Sequence, residues 1–541
     1  MSDQEFAKLA SGFIDDWAGR HPGAATALGY HRFDTRLPDW SAAAIAEERR
    51  GLDSWAGRLA VLDAAALSAE HQVDAAIMAN VIEQRRFEID ELREHTWNPL
   101  LANPGQPIYQ LLARDFAPLG ERLASLAGRL AEVPATLAAA REQLRAMPQV
   151  HIETAIGQLH GTITLITKQV DAALEVAPQC AGMIDKARPA ALDAVTAFRD
   201  WLSAQLSDAV AFASPRTGAE RFARKLSLRL NAAADADAIL ARARADLDRV
   251  TAEMTELAAE LGGSIRDVLG RLAADAPDDA AILGFCRAAL SAQTAFVQQH
   301  QLVTIYPDPV EVVAMPEVDR GVVVAYCDSP GALEPGPQPT FLAVSPAPAE
   351  WTAERVASFY REYNRHLVHI LMAHEAMPGH YLQRAHARRF AGSDTLVRAA
   401  FGSFPFAEGW AVYAEGLMTA LGYPGDGDPR HLRMQRLKLQ LRMVINAILD
   451  AGVHAHGMTQ AEAIALMLDR GFQEESEAAG KWRRILLNPA QVSAGYVGYT
   501  EVTDLARDMA AAHLGWTARQ LHDTLLGHGS PPPRLLRTLV M

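Results

Sequence analysis

From the first residues to about position 300, nearly every segment of this chain repeats apolar side chains at intervals of three and four, a spacing that suits packed helices and little else. Phe6, Leu9, Phe13 and Trp17 form one such stripe, Val73, Ile77 and Val81 another, and Leu119, Leu123, Leu126 and Leu130 a third. Breaks fall at His21-Pro22-Gly23, Asn98-Pro99, Asn103-Pro104-Gly105 and Ser214-Pro215, where proline and glycine punctuate the pattern. This half reads as a stack of helices, with its scattered histidines and carboxylates structural or solvated. At 541 residues and 49% hydrophobic content the chain can bury a large core. The expected fold is mainly α, with an N-terminal helical half over 1–300 and a second half over 301–541 joined in one continuous structural domain.

Strand signals concentrate between about 302 and 346. Val322 to Cys327 and Thr340 to Val344 are rich in β-branched and aromatic residues and are separated by Pro-Gly-rich sequence, which predicts a small antiparallel sheet. An edge strand there would offer main-chain hydrogen bonds to an extended peptide, the alternative being that the linker from Ser329-Pro330-Gly331 to Pro339 is a passive loop. Helical spacing resumes over roughly 353–376, 380–390, 405–420 and 430–451, and Thr459-Gln460-Ala461-Glu462 reads as a capping box opening a further helix.

The net charge of −14 argues against nucleic acid or an anionic membrane as partner. Cys180, Cys286 and Cys327 lie far apart, which suggests small buried hydrophobes and neither disulfides nor a cysteine metal site. No basic region followed by an apolar one opens the sequence, and no apolar run approaches the roughly 20 residues that span a bilayer, so a cytoplasmic protein is expected.

The chemistry concentrates in Ala373-His374-Glu375-Ala376-Met377-Pro378-Gly379-His380. In H-E-x-x-H, two histidines four apart share a helical face, bind one metal, and leave the glutamate beside the water. A spacing of six rotates the second histidine by roughly 240° on an unbroken helix and points the two apart. Pro378 cannot donate to the carbonyl of His374, so the helix must bulge or break, and Gly379 permits the backbone needed for His380 to swing back. Some thirty residues downstream, Glu408 and Glu415 in Glu408-Gly409-Trp410-Ala411-Val412-Tyr413-Ala414-Glu415 share a helical face but stand about 10 Å apart along it, so both cannot hold one ion. Glu408 is assigned to the metal and Glu415 to a ligand histidine or a nearby cation behind it. Small Ala411 and Ala414 allow a close approach to the motif helix.

These segments, with Asp450-Ala451-Gly452-Val453-His454 and Pro489-Ala490-Gln491 through Gly498, resemble the bacterial domain-of-unknown-function family 885. Softer matches at Leu28-Gly29-Tyr30-His31 and Asn103-Pro104-Gly105 extend the resemblance over most of the chain. That family is itself similar to Taq-type carboxypeptidases and, more distantly, to oligopeptidases and angiotensin-converting enzyme. The resemblance implies a helical saddle or clam with a deep cleft, one zinc ion per chain held by His374, His380 and Glu408, and short peptides as substrates.

Glu375 is then the expected general base. An oxyanion donor is also needed, for which Tyr496 is the first candidate, His454 the second, and Tyr499 a further one. Related sequences commonly carry tyrosine where this chain has Gly495. His366, His369 and His386 read as helix-face residues. Arg384 and Arg388, four apart, suit a substrate carboxylate, although a solvated face is the more ordinary role of such a pair. The function expected is zinc-dependent peptide hydrolysis. The alternatives are a zinc amidase or esterase acting on a non-peptide metabolite, or an inactive helical binding protein, against which the intact His-Glu pair weighs.

Overall fold

The apolar stripes fold as their spacing predicts. In a computed structural model that describes residues 3–208, 211–315, 320 and 324–541, Phe6, Leu9 and Phe13 line the buried face of helix Asp3–Arg20. Leu123, Leu126 and Leu130 are fully buried on helix Leu119–Gln143, facing Ile184, Val195 and Leu202 of helix Ala181–Asp208. Each such side chain contributes about 1.5–3 kcal/mol by leaving water. The protein is mainly helical with one small sheet, and among the described residues no helix is long and apolar enough to cross a membrane.

The chain divides into two compact units. One comprises Met1–Arg216 with two later segments, Pro330–Gln338 and Ser393–Phe401; the other comprises Thr217–Ser329, Pro339–Gly392 and Gly402–Met541. Polar contacts explain why the later segments belong with the first unit. Buried Asp74 accepts from Arg398 Nε at 2.7 Å and from the hydroxyls of Ser393 and Thr395 at 2.6 and 2.5 Å, so its charge is compensated where water is excluded. His31 lies between Asp34 at 2.9 Å and Glu334 at 3.2 Å, with its ring stacked on Phe116.

The second unit contains the stretch from His374 to His380. Its sheet has three strands, β1 (Val310–Ala314), β2 (Ala325–Asp328) and β3 (Thr340–Val344), in the order β1-β3-β2. β2 and β3 form the expected antiparallel pair, Cys327 opposite Leu342, but β1 runs parallel to β3, so the sheet is mixed and not purely antiparallel. β1 gives no clear signal in the sequence, because prolines at 307, 309 and 316 crowd a five-residue run. Of the expected first strand, Val322 and Val323 lie outside the described residues.

The expected helix over 353–376 is two helices, Ala353–Glu362 and Arg365–Glu375. Asn364 interrupts them because its side chain accepts from Leu367 N at 3.1 Å and so starts the second. Helices Phe404–Ala420 and Pro429–Ala455 follow, and the capping box at Thr459 opens helix Gln460–Asp469 with both reciprocal bonds formed. All three cysteines are buried and unpaired.

Candidate metal centre

The motif is built from the end of one helix and the start of the next. Helix Arg365–Glu375 stops at Glu375, Ala376 leaves helical geometry, and helix His380–Ala387 begins at the second histidine. The backbone breaks fully instead of bulging within a continuing helix. A β-carbon at Gly379 would fall on the carbonyl oxygens of His374 and Ala373, so glycine alone fits this turn. Trp410, fully buried on helix Phe404–Ala420, donates its indole N–H to the Pro378 carbonyl at 2.8 Å and holds the turn from outside. That helix meets Gln491–Ala512 on its other side at Gly409 and Gly498, where any side chain would strike backbone.

The break turns the histidines together. His374 Nε2 lies 3.9 Å from Glu408 Oε2 and His380 Nε2 lies 3.5 Å from Glu408 Oε1, and one donor atom from each of the three falls within 4.8 Å of the others. Tetrahedral zinc with bonds of about 2.0–2.1 Å needs donors separated by about 3.3–3.4 Å, so these donor atoms would have to draw closer together to hold such an ion. Glu408 keeps 31% of its side chain exposed, which leaves the cluster reachable from solvent.

Glu415 sits one helical step behind. Its Oε1 is 2.7 Å from His374 Nδ1, the atom that must carry the proton when Nε2 faces a metal. Burial opposes a charge on His374, but the Glu415 hydrogen bond and the charges of Glu375, Glu415 and Glu408 raise its pKa to about 10. Glu408 responds in the opposite direction: burial raises its pKa, but His380, His374 and Arg484 hold it down at about 2. A cation held at these donor atoms would have to displace the proton from His374 Nε2. His380 Nδ1 is buried with no hydrogen-bond partner among the described residues.

Glu375 stands outside the ligand set. Its Oε2 accepts the main-chain N–H of Cys327 at 3.0 Å, and Arg384 donates to the Cys327 carbonyl at 3.1 Å, so the motif helices grip edge strand β2 at that residue. Arg388 is committed to Asp308 at 2.6 Å, which takes it out of the substrate-carboxylate role. His366 and His369 lie 3.3 Å from carboxylate oxygens of Asp275 and Asp426, and His386 bonds to the Thr304 carbonyl at 2.8 Å.

The two leading oxyanion candidates spend their polar atoms on other protein groups. Tyr496 donates to Asp246 at 2.6 Å, and burial and that carboxylate push its pKa up. His454 accepts from Thr217 N at 3.3 Å and donates from Nε2 to the Ile485 carbonyl at 2.9 Å, with its ring stacked on Phe222. It braces helix Glu475–Leu487. Tyr499 differs: its oxygen accepts from Arg436 at 3.1 Å and Gln440 at 3.2 Å, and among the described residues nothing accepts its proton. It also lies four residues beyond Gly495, on the same face of its helix.

Neither the Trp410 brace nor the place of the cations of helix Glu475–Leu487 follows from local spacing. A large aromatic among small residues at 409–414 and the basic run Lys481-Trp482-Arg483-Arg484 in an acidic chain were the available signals.

Comparison with known proteins gives the lineage. The model of a family described as bacterial protein of unknown function, DUF885, matches residues 22–540. The chain belongs to the DUF885 family. Two solved structures share its fold along almost the whole length. A candidate lipoprotein of unknown function from Shewanella oneidensis is 28% identical with a TM-score of 0.84, covering 99% of both chains. A candidate lipoprotein from Colwellia psychrerythraea is 19% identical with a TM-score of 0.80, covering 99% of this chain and 98% of its own. No curated protein matches this DUF885 chain.

Proposed function

We propose that this DUF885 protein is a zinc-dependent metallopeptidase acting on short peptides. The observation that carries the reading is the convergence of donor atoms of His374, His380 and Glu408 within 4.8 Å of one another, with Glu375 adjacent and outside that set. His374, His380 and Glu408 would hold one zinc ion. When bound, zinc supplies Lewis acidity and lowers the pKa of water towards neutrality.

The chain's own groups do the rest. Glu415 fixes the His374 tautomer by accepting from Nδ1. Glu375 accepts a proton as water attacks the amide carbonyl and returns it to the departing amine, a role worth about 10²- to 10⁴-fold in rate. The Cys327 N–H holds its carboxylate in place while leaving the second oxygen for that proton. Tyr499, with its unclaimed proton, donates to the developing oxyanion, and Arg436 and Gln440 fix the position of its oxygen.

The test is metal analysis combined with peptide-library digestion read by mass spectrometry, comparing wild type with Glu375→Gln. Stoichiometric zinc in both, with cleavage by the wild type alone, is the expected result. A protein that binds no zinc, or a variant that cleaves as fast as wild type, refutes the proposal.

A further inference from the structure

Helix Gln491–Ala512 starts without a side-chain cap of its own. Ala490, in the N-cap position, has a left-handed φ of 66° and no side-chain acceptor, whereas Asn364, Ser403 and Thr459 each cap the helix they precede. The acceptor comes from another helix. Asp450 of helix Pro429–Ala455, fully buried, accepts the N–H of Ala490 on Oδ1 and that of Ser493 on Oδ2, both at 3.1 Å. One turn on, His454 donates to the Ile485 carbonyl at 2.9 Å, so the segment leading into the helix is pinned to the same neighbour. Burial pushes the Asp450 carboxyl up to about 6, and the bonds from Ser493 and Ala490 oppose that rise. A serine or asparagine at the N-cap would satisfy the first turn without burying a charge. The imported carboxylate does something a local cap does not: it fixes where the helix lies along its neighbours.

That position reaches the cluster through bare backbone. Gly498, about two turns into the helix, lies against Pro405 of helix Phe404–Ala420, and Gly409 lies against Gly498, in each case so close that a β-carbon would overlap a main-chain carbonyl oxygen. Gly409 immediately follows Glu408, whose carboxylate oxygens stand 3.9 Å from His374 Nε2 and 3.5 Å from His380 Nε2. Interdigitating side chains normally lock one helix along another. Where glycine meets glycine that lock is weak, and the anchor at Asp450 supplies it. A helix released at its first turn is free to slide along this contact and to take the Glu408 backbone with it.

We propose that Asp450 is a positioning residue for the Glu408 carboxylate, acting through helix Gln491–Ala512, an inference that rests on the reading of His374, His380 and Glu408 as metal ligands. Asp450 itself touches none of the three. Its loss should therefore change how the metal is held, and not only how stable the fold is.

The test uses the full-length protein and needs no turnover. In Asp450→Asn the side chain keeps its size, but a carboxamide has one acceptor oxygen and turns an NH2 group towards the second N–H. Zinc affinity, read by calorimetric titration, should fall by about 2- to 30-fold, the range seen for residues that act on a site through packed elements. The visible bands of the cobalt-substituted protein, which report ligand geometry, should shift in the same variant. Thr459→Ala is the control: it removes the N-cap of helix Gln460–Asp469 in the same unit and should lower Tm by about 1–3 °C while leaving zinc affinity and the cobalt bands as in wild type. Should Asp450→Asn fail to fold, Asp450→Ser, smaller and uncharged, gives the same comparison. Asp450 variants that melt lower yet keep wild-type zinc affinity and cobalt bands overturn the inference and leave the metal site standing. A wild type that binds neither metal refutes the metal reading, and this inference with it.

Discussion

Replacing Trp410 with phenylalanine tests whether the turn between the two histidines positions the metal ligands or merely fills the core. The indole N–H is the donor to the Pro378 carbonyl at 2.8 Å, and both residues are buried. Losing that donor leaves a carbonyl unsatisfied at a cost of about 1–3 kcal/mol. The missing part of the indole ring adds roughly 1 kcal/mol of cavity. A total of about 2–4 kcal/mol, in a cooperative unit of roughly 300 residues, corresponds to a Tm lower by about 3–6 °C. A core defect alone would stop there. Because His374 and His380 flank the turn that Trp410 holds, Trp410→Phe should also weaken zinc by about 10- to 100-fold, as for partners that orient ligands. In excess zinc the metal-induced stabilisation should therefore shrink by about 1.4–2.7 kcal/mol relative to wild type. The assay is thermal unfolding with chelator and with a zinc series, alongside calorimetric zinc titration. A variant that loses Tm but keeps wild-type zinc affinity refutes the positioning argument.

The two glutamates of helix Phe404–Ala420 should separate in a zinc titration: Glu408→Gln removes a ligand and should abolish stoichiometric binding, while Glu415→Gln should weaken it by about 10- to 100-fold, and the reverse order would exchange their roles. Tyr499→Phe should lower kcat by about 10²- to 10³-fold with little change in KM, and Tyr496→Phe should instead lower Tm through its bond to Asp246; steady-state kinetics and melting curves of both distinguish them. In the first unit, burial opposes a charge on His31, but Asp34 and Glu334 raise its pKa above 6.5, so its contribution to stability is fully present below pH 6.5 and is lost as pH rises through the folded value. Melts of wild type and His31→Gln should therefore converge at alkaline pH, and a gap that widens there contradicts the charge assignment.

The sequence by itself determined the helical character of the chain, because apolar spacing and caps such as Thr459 act over a few residues and need no distant partner. It also determined that His374 and His380 could meet only if the helix broke between them, since Pro378 and Gly379 leave no alternative at a spacing of six. The seven-residue interval from Glu408 to Glu415 set one carboxylate ahead of the other, and the structure places Glu408 beside both histidines and Glu415 on Nδ1 of His374. Tertiary structure decided everything that depends on which group reaches a polar atom first. Tyr496, His454 and Tyr499 look alike as candidates in one dimension. Asp246 claims the first, Thr217 and Ile485 the second, and only the third keeps a proton to give. Likewise Arg388 is taken by Asp308, eighty residues away in the sequence. Hydrogen-bond partners far apart in sequence are fixed by packing, which is why local spacing could point to His374, His380 and Glu408 but not to the groups around them.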